Sequence, residues 1–215
     1  MGSNNTLVVI AHPDDEVLGC GATISKLSQK GHNVSVLLSL KRSDKRGIEN
    51  WDSLLQQFEK SCCILGATPI VLPNLMDETE AETHVHHLHD KIVAHIDDST
   101  RIITHQISDV NQAHRGIHRA VEIATRPFRR RREVWLCEIA TSSDQKITSG
   151  QHQFPNLFVE ISKHDLEKKI LAMENYLSES AVGRRGKDII IHAQYWGSIV
   201  GFEYAEPFYV ARMFK

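Results

Sequence analysis

Short, unbroken apolar runs alternate with helix-periodic stretches along most of this chain, and that rhythm restricts its fold more than any other feature. Residues 6–10 (TLVVI) make a strand-sized run, residues 14–29 carry a helical period, Gly31 opens a turn, and residues 33–40 (NVSVLLSL) make a second buried run. Strand, helix and strand in that order predict a parallel pair joined by a crossover. The pattern repeats with a helix over 50–65 closed by Gly66, a strand over 69–72, a helix over 80–97 and a strand over 101–105 (RIITH). A helix over 111–125 must stop at Arg126, because a residue preceding proline disfavours the α region, and residues 133–138 supply a fifth strand. After Ile139 the rhythm changes to a polar loop over 141–153, a strand over 157–161, helices over 164–177 and 187–196, and a last strand over 208–212. No repeat and no linker interrupts the chain. The expectation is one α/β domain over 1–215, with a Rossmann-like, doubly wound, mostly parallel sheet, helices on both faces, and ligands at the carboxyl ends of the strands.

A chain of 215 residues can bury a self-sufficient core. Its 25 Lys and Arg against 27 Asp and Glu leave a net charge of −2, without the basic excess of a nucleic-acid or membrane-surface binder. No apolar run approaches the ~18 residues of a membrane span. The N-terminus has no basic segment followed by a long apolar one, and the four cysteines show no CxxC pair or regular framework. The expected location is therefore cytoplasmic, with buried, reduced thiols. The 13 histidines are the one compositional excess, and they direct attention to metal or acid–base chemistry.

The first strand runs straight into Ala11-His12-Pro13-Asp14-Asp15-Glu16, an imidazole and three carboxylates at a strand end with a helix behind them. Acids in a first helical turn complement the helix dipole, but that accounts for neither the histidine nor the proline in front of them. Neutral imidazole with carboxylate suits Zn2+ or another divalent ion such as Fe2+. Pro13 fixes the turn, so His12 and Asp15 can converge on one centre while Asp14 points elsewhere. Gly19 and Gly21 also permit a dinucleotide reading, which is the weaker one. A pyrophosphate would meet three carboxylates, and the second strand ends in Lys41-Arg42 rather than an acid for a ribose hydroxyl. Close helix–sheet packing explains those glycines better.

A second cluster follows the fourth strand: His105, then Ser108-Asp109-Val110-Asn111-Gln112-Ala113-His114, with His118 one turn further on. AHPDDE after strand one, joined to D-x-N-x-x-H after strand four, resembles the LmbE / PIG-L family of zinc-dependent de-N-acetylases. The resemblance extends to Glu138 with Ser142-Ser143, to Phe154-Pro155-Asn156, to the stretch from Lys168-Lys169 to Tyr176 and Glu179, and to Tyr204-Ala205-Glu206-Pro207-Phe208. It thus covers nearly the whole chain.

The resemblance implies Zn2+ held by His12, Asp15 and His114, with Asp14 as general base and then as the acid that protonates the leaving amine. It implies removal of an acetyl group from an amino sugar or related amine, so that the partner is a small N-acetylated sugar. One position departs from the family pattern. An Asp commonly precedes the third metal ligand and orients an upstream His that stabilises the oxyanion; here those places hold Ala113 and Asn111. Asn111 becomes the candidate for a neutral hydrogen bond to the oxyanion, and the alternative is a catalytically impaired metal- or sugar-binding protein of the same fold.

His105, at the end of strand four, and Asp109 are read as supports for the metal ligands. His118, on the helical face of His114, and Lys41 and Arg42, at the end of strand two, are the candidate substrate contacts. The two cations would suit an anionic sugar, nucleotide-linked or phosphorylated. The cluster of His84, His86, His87 and His89 has no convincing ligand spacing and reads as a solvated helix face. The run from Arg129 to Arg132 reads as a solvated loop. Tyr195, Trp196 and Tyr204 are candidates to line a sugar pocket. No heptad or interface signature decides whether the chain forms a homo-oligomer.

Overall fold

The computed structural model describes residues 4–147 and 154–215, so the last part of the polar loop expected over 141–153 lies outside the described residues. β1 (Asn5–Ile10), β2 (Asn33–Lys41), β3 (Thr68–Asp77), β4 (Arg101–His105), β5 (Glu133–Cys137), β6 (Leu157–Glu160) and β7 (Ala205–Arg212) form one sheet in the order β3-β2-β1-β4-β5-β7-β6. The first five strands are parallel, and β7 enters antiparallel to both β5 and β6. Leu7 and Val9 point into one apolar layer, Val8 and Ile10 into the other, which is why β1 reads as a continuous apolar run. The first layer is completed by α3 (Val85–Ile96) and α4 (Gln112–Ala124). The second is completed by α1 (Asp15–Gln29), α2 (Lys45–Leu65), α5 (Lys163–Glu174) and α6 (Gly186–Val200).

The winding reverses between β1 and β4. From β1 the chain builds outward through β2 and β3, then returns to the other side of β1. The loops leaving β1 and β4 face each other across this switch point, the place where a doubly wound sheet leaves a crevice for ligands.

Several boundaries differ from the sequence expectation. α2 begins at Lys45, where Asp44 caps it by accepting the Gly47 N–H at 2.9 Å, and it kinks at Asn50. The helix expected over 80–97 starts only at Val85, because residues 78–80 form a 3-10 turn capped by Asp77, which accepts the Thr79 N–H at 2.9 Å. β3 runs on to Asp77 through a register shift against β2, α5 ends at Glu174, and β7 begins at Ala205.

α1 is interrupted at Cys20, whose φ of −155° leaves the helical range. Side chains from the far end of the chain cap both sides of the break. Lys169 Nζ donates to Leu18 O at 3.0 Å, and Glu206 accepts the Ala22 N–H at 3.1 Å and the Thr23 N–H at 2.6 Å. Lys169 and Glu206 also pair with each other at 2.7 Å, both buried. Gly19 lets the first half of α1 lie close to β5, since a Cβ there would stand 2.7 Å from Cys137 Sγ. The four cysteines are free thiols, all buried except Cys63. Among the described residues no helix is long and apolar enough to cross a membrane.

Candidate active site

Three ligand-capable side chains converge where β1 and β4 end. His12, Asp15 and His114 are buried and bring one nitrogen or oxygen each within 4.8 Å of one another, the one such group among the described residues. His12 Nδ1 and His114 Nε2 each lie 3.4 Å from the Asp15 carboxylate. The opposite nitrogens face carboxylates outside the cluster: His12 Nε2 is 2.9 Å from Glu78 Oε2, and His114 Nδ1 is 2.9 Å from Asp109 Oδ2. Asp109 is fixed in turn by Ser142 Oγ and Ser143 Oγ, each donating at 2.6 Å. Metal-binding histidines are arranged in this way, with one N–H handed to a carboxylate so that the other nitrogen keeps its lone pair for the ion. These residues fit a divalent ion held by His12 Nδ1, His114 Nε2 and Asp15.

The electrostatics agree. Burial works against charge on both histidines, yet Asp15 and Glu78 hold His12 above its ordinary value, and Asp15 with Asp109 pushes His114 up to about 10. The cluster is a well for positive charge, which protons or a metal ion can supply. His105 behaves differently. Burial and the neighbouring His114 lower it to about 3, so its ring is neutral. Its Nε2 accepts the Ala11 N–H at 3.0 Å, and its face stacks on His114 with centroids 4.1 Å apart. His105 therefore buttresses both the turn after β1 and the His114 ring.

Asp14 stands beside the cluster in the left-handed region, with φ 100°, where a residue bearing a Cβ is strained. Its N–H is taken by Glu16, whose other carboxylate oxygen accepts Ser61 Oγ and Tyr176 Oη at 2.7 Å each. Arg184 donates to the Asp14 side chain at Oδ2 and to Thr141 Oγ1, both at 2.8 Å. Burial and the charge of Asp15 raise the Asp14 carboxyl to about 7, against the pull of Arg184 and Arg42. A carboxyl titrating there can both take up and return a proton near neutrality.

Residues 7–125 match the family model PIG-L, GlcNAc-PI de-N-acetylase. The chain belongs to the PIG-L family. Its fold recurs in a deacetylase of the teicoplanin biosynthesis pathway, at 18% identity and TM-score 0.75, covering 96% of this chain and 98% of that one. It recurs in the N,N'-diacetylchitobiose deacetylase of Pyrococcus horikoshii, at 19% identity and TM-score 0.72, covering 96% and 83%. It is also the fold of the 4-carboxy-2-hydroxymuconate hydratase of Pseudomonas putida KT2440, at 17% identity and TM-score 0.66, covering 98% of each chain. No curated protein matches in sequence. At these identities the likeness is one of fold, and the hydratase shows that the fold carries more than one chemistry, so the reaction has to be read from the site.

In this PIG-L chain the other residues singled out by sequence take varied places. Asn111 is the N-cap of α4, its carboxamide oxygen accepting the Ala113 N–H at 2.8 Å, so it starts the helix that carries His114. Ala113 is fully buried in the apolar layer beneath α3 and α4, and the carboxylate beside His114 comes from Asp109 instead. Arg42 is buried in a 2.9 Å ion pair with Glu179, which offsets its charge. Lys41 is exposed, its Nζ 5.9 Å from the centre of the Trp51 ring. His118 Nδ1 lies 2.9 Å from His105 O, so its contact is with the backbone at the end of β4. His84 and His87 stack at 5.7 Å on the exposed start of α3, outside the ligand cluster. Glu78 was not singled out by its sequence position, being one of four acids between positions 77 and 82. Its only mark is that it directly follows a strand ending at the same edge as β1 and β4.

Proposed function

We propose that this PIG-L protein is a divalent-metal amidohydrolase that removes the acetyl group from an N-acetylated amino sugar or sugar conjugate, releasing acetate and a free amine. The observation that carries this reading is the pair of buried histidines, each with one nitrogen turned to Asp15 and the other to an outer carboxylate, with Asp14 alongside. A bound Zn2+ or Fe2+ supplies Lewis-acid polarisation of the amide carbonyl and acidifies water. Ionised Asp14 takes a proton from the water that attacks the acetyl carbon. The protonated carboxyl then returns that proton to the sugar nitrogen as the C–N bond breaks, and Asp14 ends as it began. Glu16 holds the Asp14 backbone and Arg184 its carboxylate, while Glu78 and Asp109 orient the two histidines.

The capping role of Asn111 gives no support to an oxyanion contact from that residue. The pairing of Arg42 with Glu179 gives none to a nucleotide-linked or phosphorylated substrate held by that residue, so an uncharged N-acetylated sugar is the favoured class. The alternative of a catalytically impaired metal- or sugar-binding protein keeps its motive, since Asp109 pairs with His114 itself and Asn111 caps a helix, so neither stands in for the missing oxyanion pair. The free thiols favour a reducing, cytoplasmic location. The groups from beyond residue 138 that close on the site favour a single domain. Acetate release from a panel of N-acetylated sugars tests the reaction. The metal-loaded protein should release acetate, and chelation or Asp14→Asn should stop it. Stoichiometric metal with no acetate from any sugar of the panel would sink the reading.

A further inference from the structure

Thr141 takes φ 68°, a left-handed conformation that a β-branched residue adopts only where its surroundings impose it. The turn that imposes it is short. Ser142 and Ser143 donate their backbone N–H groups to Ile139 O at 3.0 and 2.9 Å, and Ser143 Oγ accepts the Ile139 N–H at 2.8 Å. Three successive hydroxyls are thereby sent to two partners. Ser142 and Ser143 hold Asp109, the carboxylate behind His114, while Thr141 Oγ1 accepts from Arg184 Nε at 2.8 Å. The loop that carries Arg184 is fixed as well, since the N–H groups of Gly183 and Arg185 both go to Asp188 Oδ2 in the first turn of α6, at 3.0 and 3.2 Å. Gly183, at φ 90°, lies so close that a Cβ there would stand 2.5 Å from Thr141 Cγ2.

Arg184 needs such a fix, because two carboxylates compete for it. Its Nη1 lies 2.8 Å from Asp14 Oδ2 and 3.9 Å from Glu179 Oε2, and both acids are buried. A guanidinium on a flexible stem can turn to either acceptor unless a further contact sets its plane. The head group is a rigid planar fork, so a partner that fixes Nε also fixes the direction of Nη1. Thr141 Oγ1 is that partner. We propose that Thr141 is a positioning residue, whose hydroxyl, aimed by the left-handed turn, keeps the Arg184 guanidinium on Asp14 and off Glu179. The same five-residue turn then braces both halves of the centre, the base through Thr141 and Arg184, and His114 through the two serines and Asp109. The effect on rate rests on the amidohydrolase reading, in which Asp14 moves the proton.

Two substitutions separate the hydroxyl from the shape of the side chain. Thr141→Val keeps the branch and removes the acceptor, and Thr141→Ser keeps the acceptor. For acetate release by the metal-loaded protein, Thr141→Val should lower kcat about tenfold, the scale of one hydrogen bond to a charged group, with KM little changed. Thr141→Ser should recover most of that loss. Urea unfolding of Thr141→Val, Arg184→Met and the double variant gives a reading that needs no turnover. Thr141→Val should lower the midpoint of the wild-type protein and lower it far less beside Arg184→Met. An unchanged kcat in Thr141→Val, an equal loss in Thr141→Ser, a loss confined to KM, or midpoint changes that simply add would overturn the role. Coupled midpoints with no acetate release by the wild-type protein would support the clasp between Thr141 and Arg184 and overturn the reaction.

Discussion

Glu16 Oε2 accepts the backbone N–H of Asp14 at 3.1 Å, inside the turn that Asp14 enters with φ 100°. A backbone held in that region costs roughly 1–3 kcal/mol, so it persists only where neighbours impose it. Here the neighbours are distant in sequence: Ser61 in α2 and Tyr176 after α5 both donate to the other Glu16 oxygen at 2.7 Å. Glu16 thus fixes the position of Asp14.

Replacing Glu16 should separate stability from turnover. Glu16→Ala leaves the Asp14 N–H and two hydroxyls buried without their acceptor, at about 1–3 kcal/mol for each group left unsatisfied. Tyr176→Phe removes one donor only and should cost about 0.5–1.5 kcal/mol. Urea unfolding gives the stability, and acetate release at a temperature where the variant is fully folded gives the positioning effect, which should exceed the stability loss for Glu16→Ala.

Glu78 should control metal affinity from outside the ligand set. Its carboxylate lies 2.9 Å from His12 Nε2, where it would favour a proton on that nitrogen and leave Nδ1 for an ion. Glu78→Gln should weaken metal binding by about 10- to 100-fold, the usual range for such partners, with the folded state kept. Competition against a chelator of known affinity measures it. Affinity equal to wild type would mean that Glu78 serves only the loop at Ser43, whose N–H it accepts at 2.7 Å.

Arg184 should set the acid limb of activity. Burial and Asp15 raise the Asp14 carboxyl, and Arg184 opposes them. The base works when ionised, so activity falls as the pH drops through its pKa. Arg184→Met removes the opposing cation, raises that pKa, and should move the acid limb of kcat/KM to higher pH. A limb that stays in place would show that another group limits the rate in acid.

The Lys169–Glu206 pair should matter to the whole fold. Lys169→Met strands a buried carboxylate and should destabilise by about 3–5 kcal/mol, as breaking one side of a buried pair does. Adding Glu206→Gln should recover part of the loss. Urea midpoints of the single and double variants give the comparison.

Much of this architecture is legible in the sequence, because parallel strands buried on two faces announce themselves as unbroken apolar runs; β1, β2 and β4 are such runs. His12 and Asp15 are legible because they fall where the first strand runs into its helix, and His114 through the family resemblance of the D-x-N-x-x-H segment after the fourth strand. β7 is harder to place, since nothing in its residues says that it pairs between β5 and β6 rather than at an edge. Glu78 becomes a partner of His12 only through the 3-10 turn that cuts short the expected helix, a local event that periodicity does not resolve. Asn111 illustrates a further limit, because a helix-capping side chain and an oxyanion donor are the same residue type at the same strand end.

The place of β7 also orders events during synthesis. β6 hydrogen-bonds within the sheet only to β7, so it has no partner until the last strand of the chain has emerged. Glu206, at the start of β7, brings the carboxylate that caps the broken helix behind Asp14 and Asp15. A nascent chain therefore carries His12, Asp15 and His114, together with Glu78, His105 and Asp109, well before Tyr176, Arg184 and Glu206 emerge. Insertion of β7 is the step that completes the capping of the broken helix behind Asp14 and Asp15.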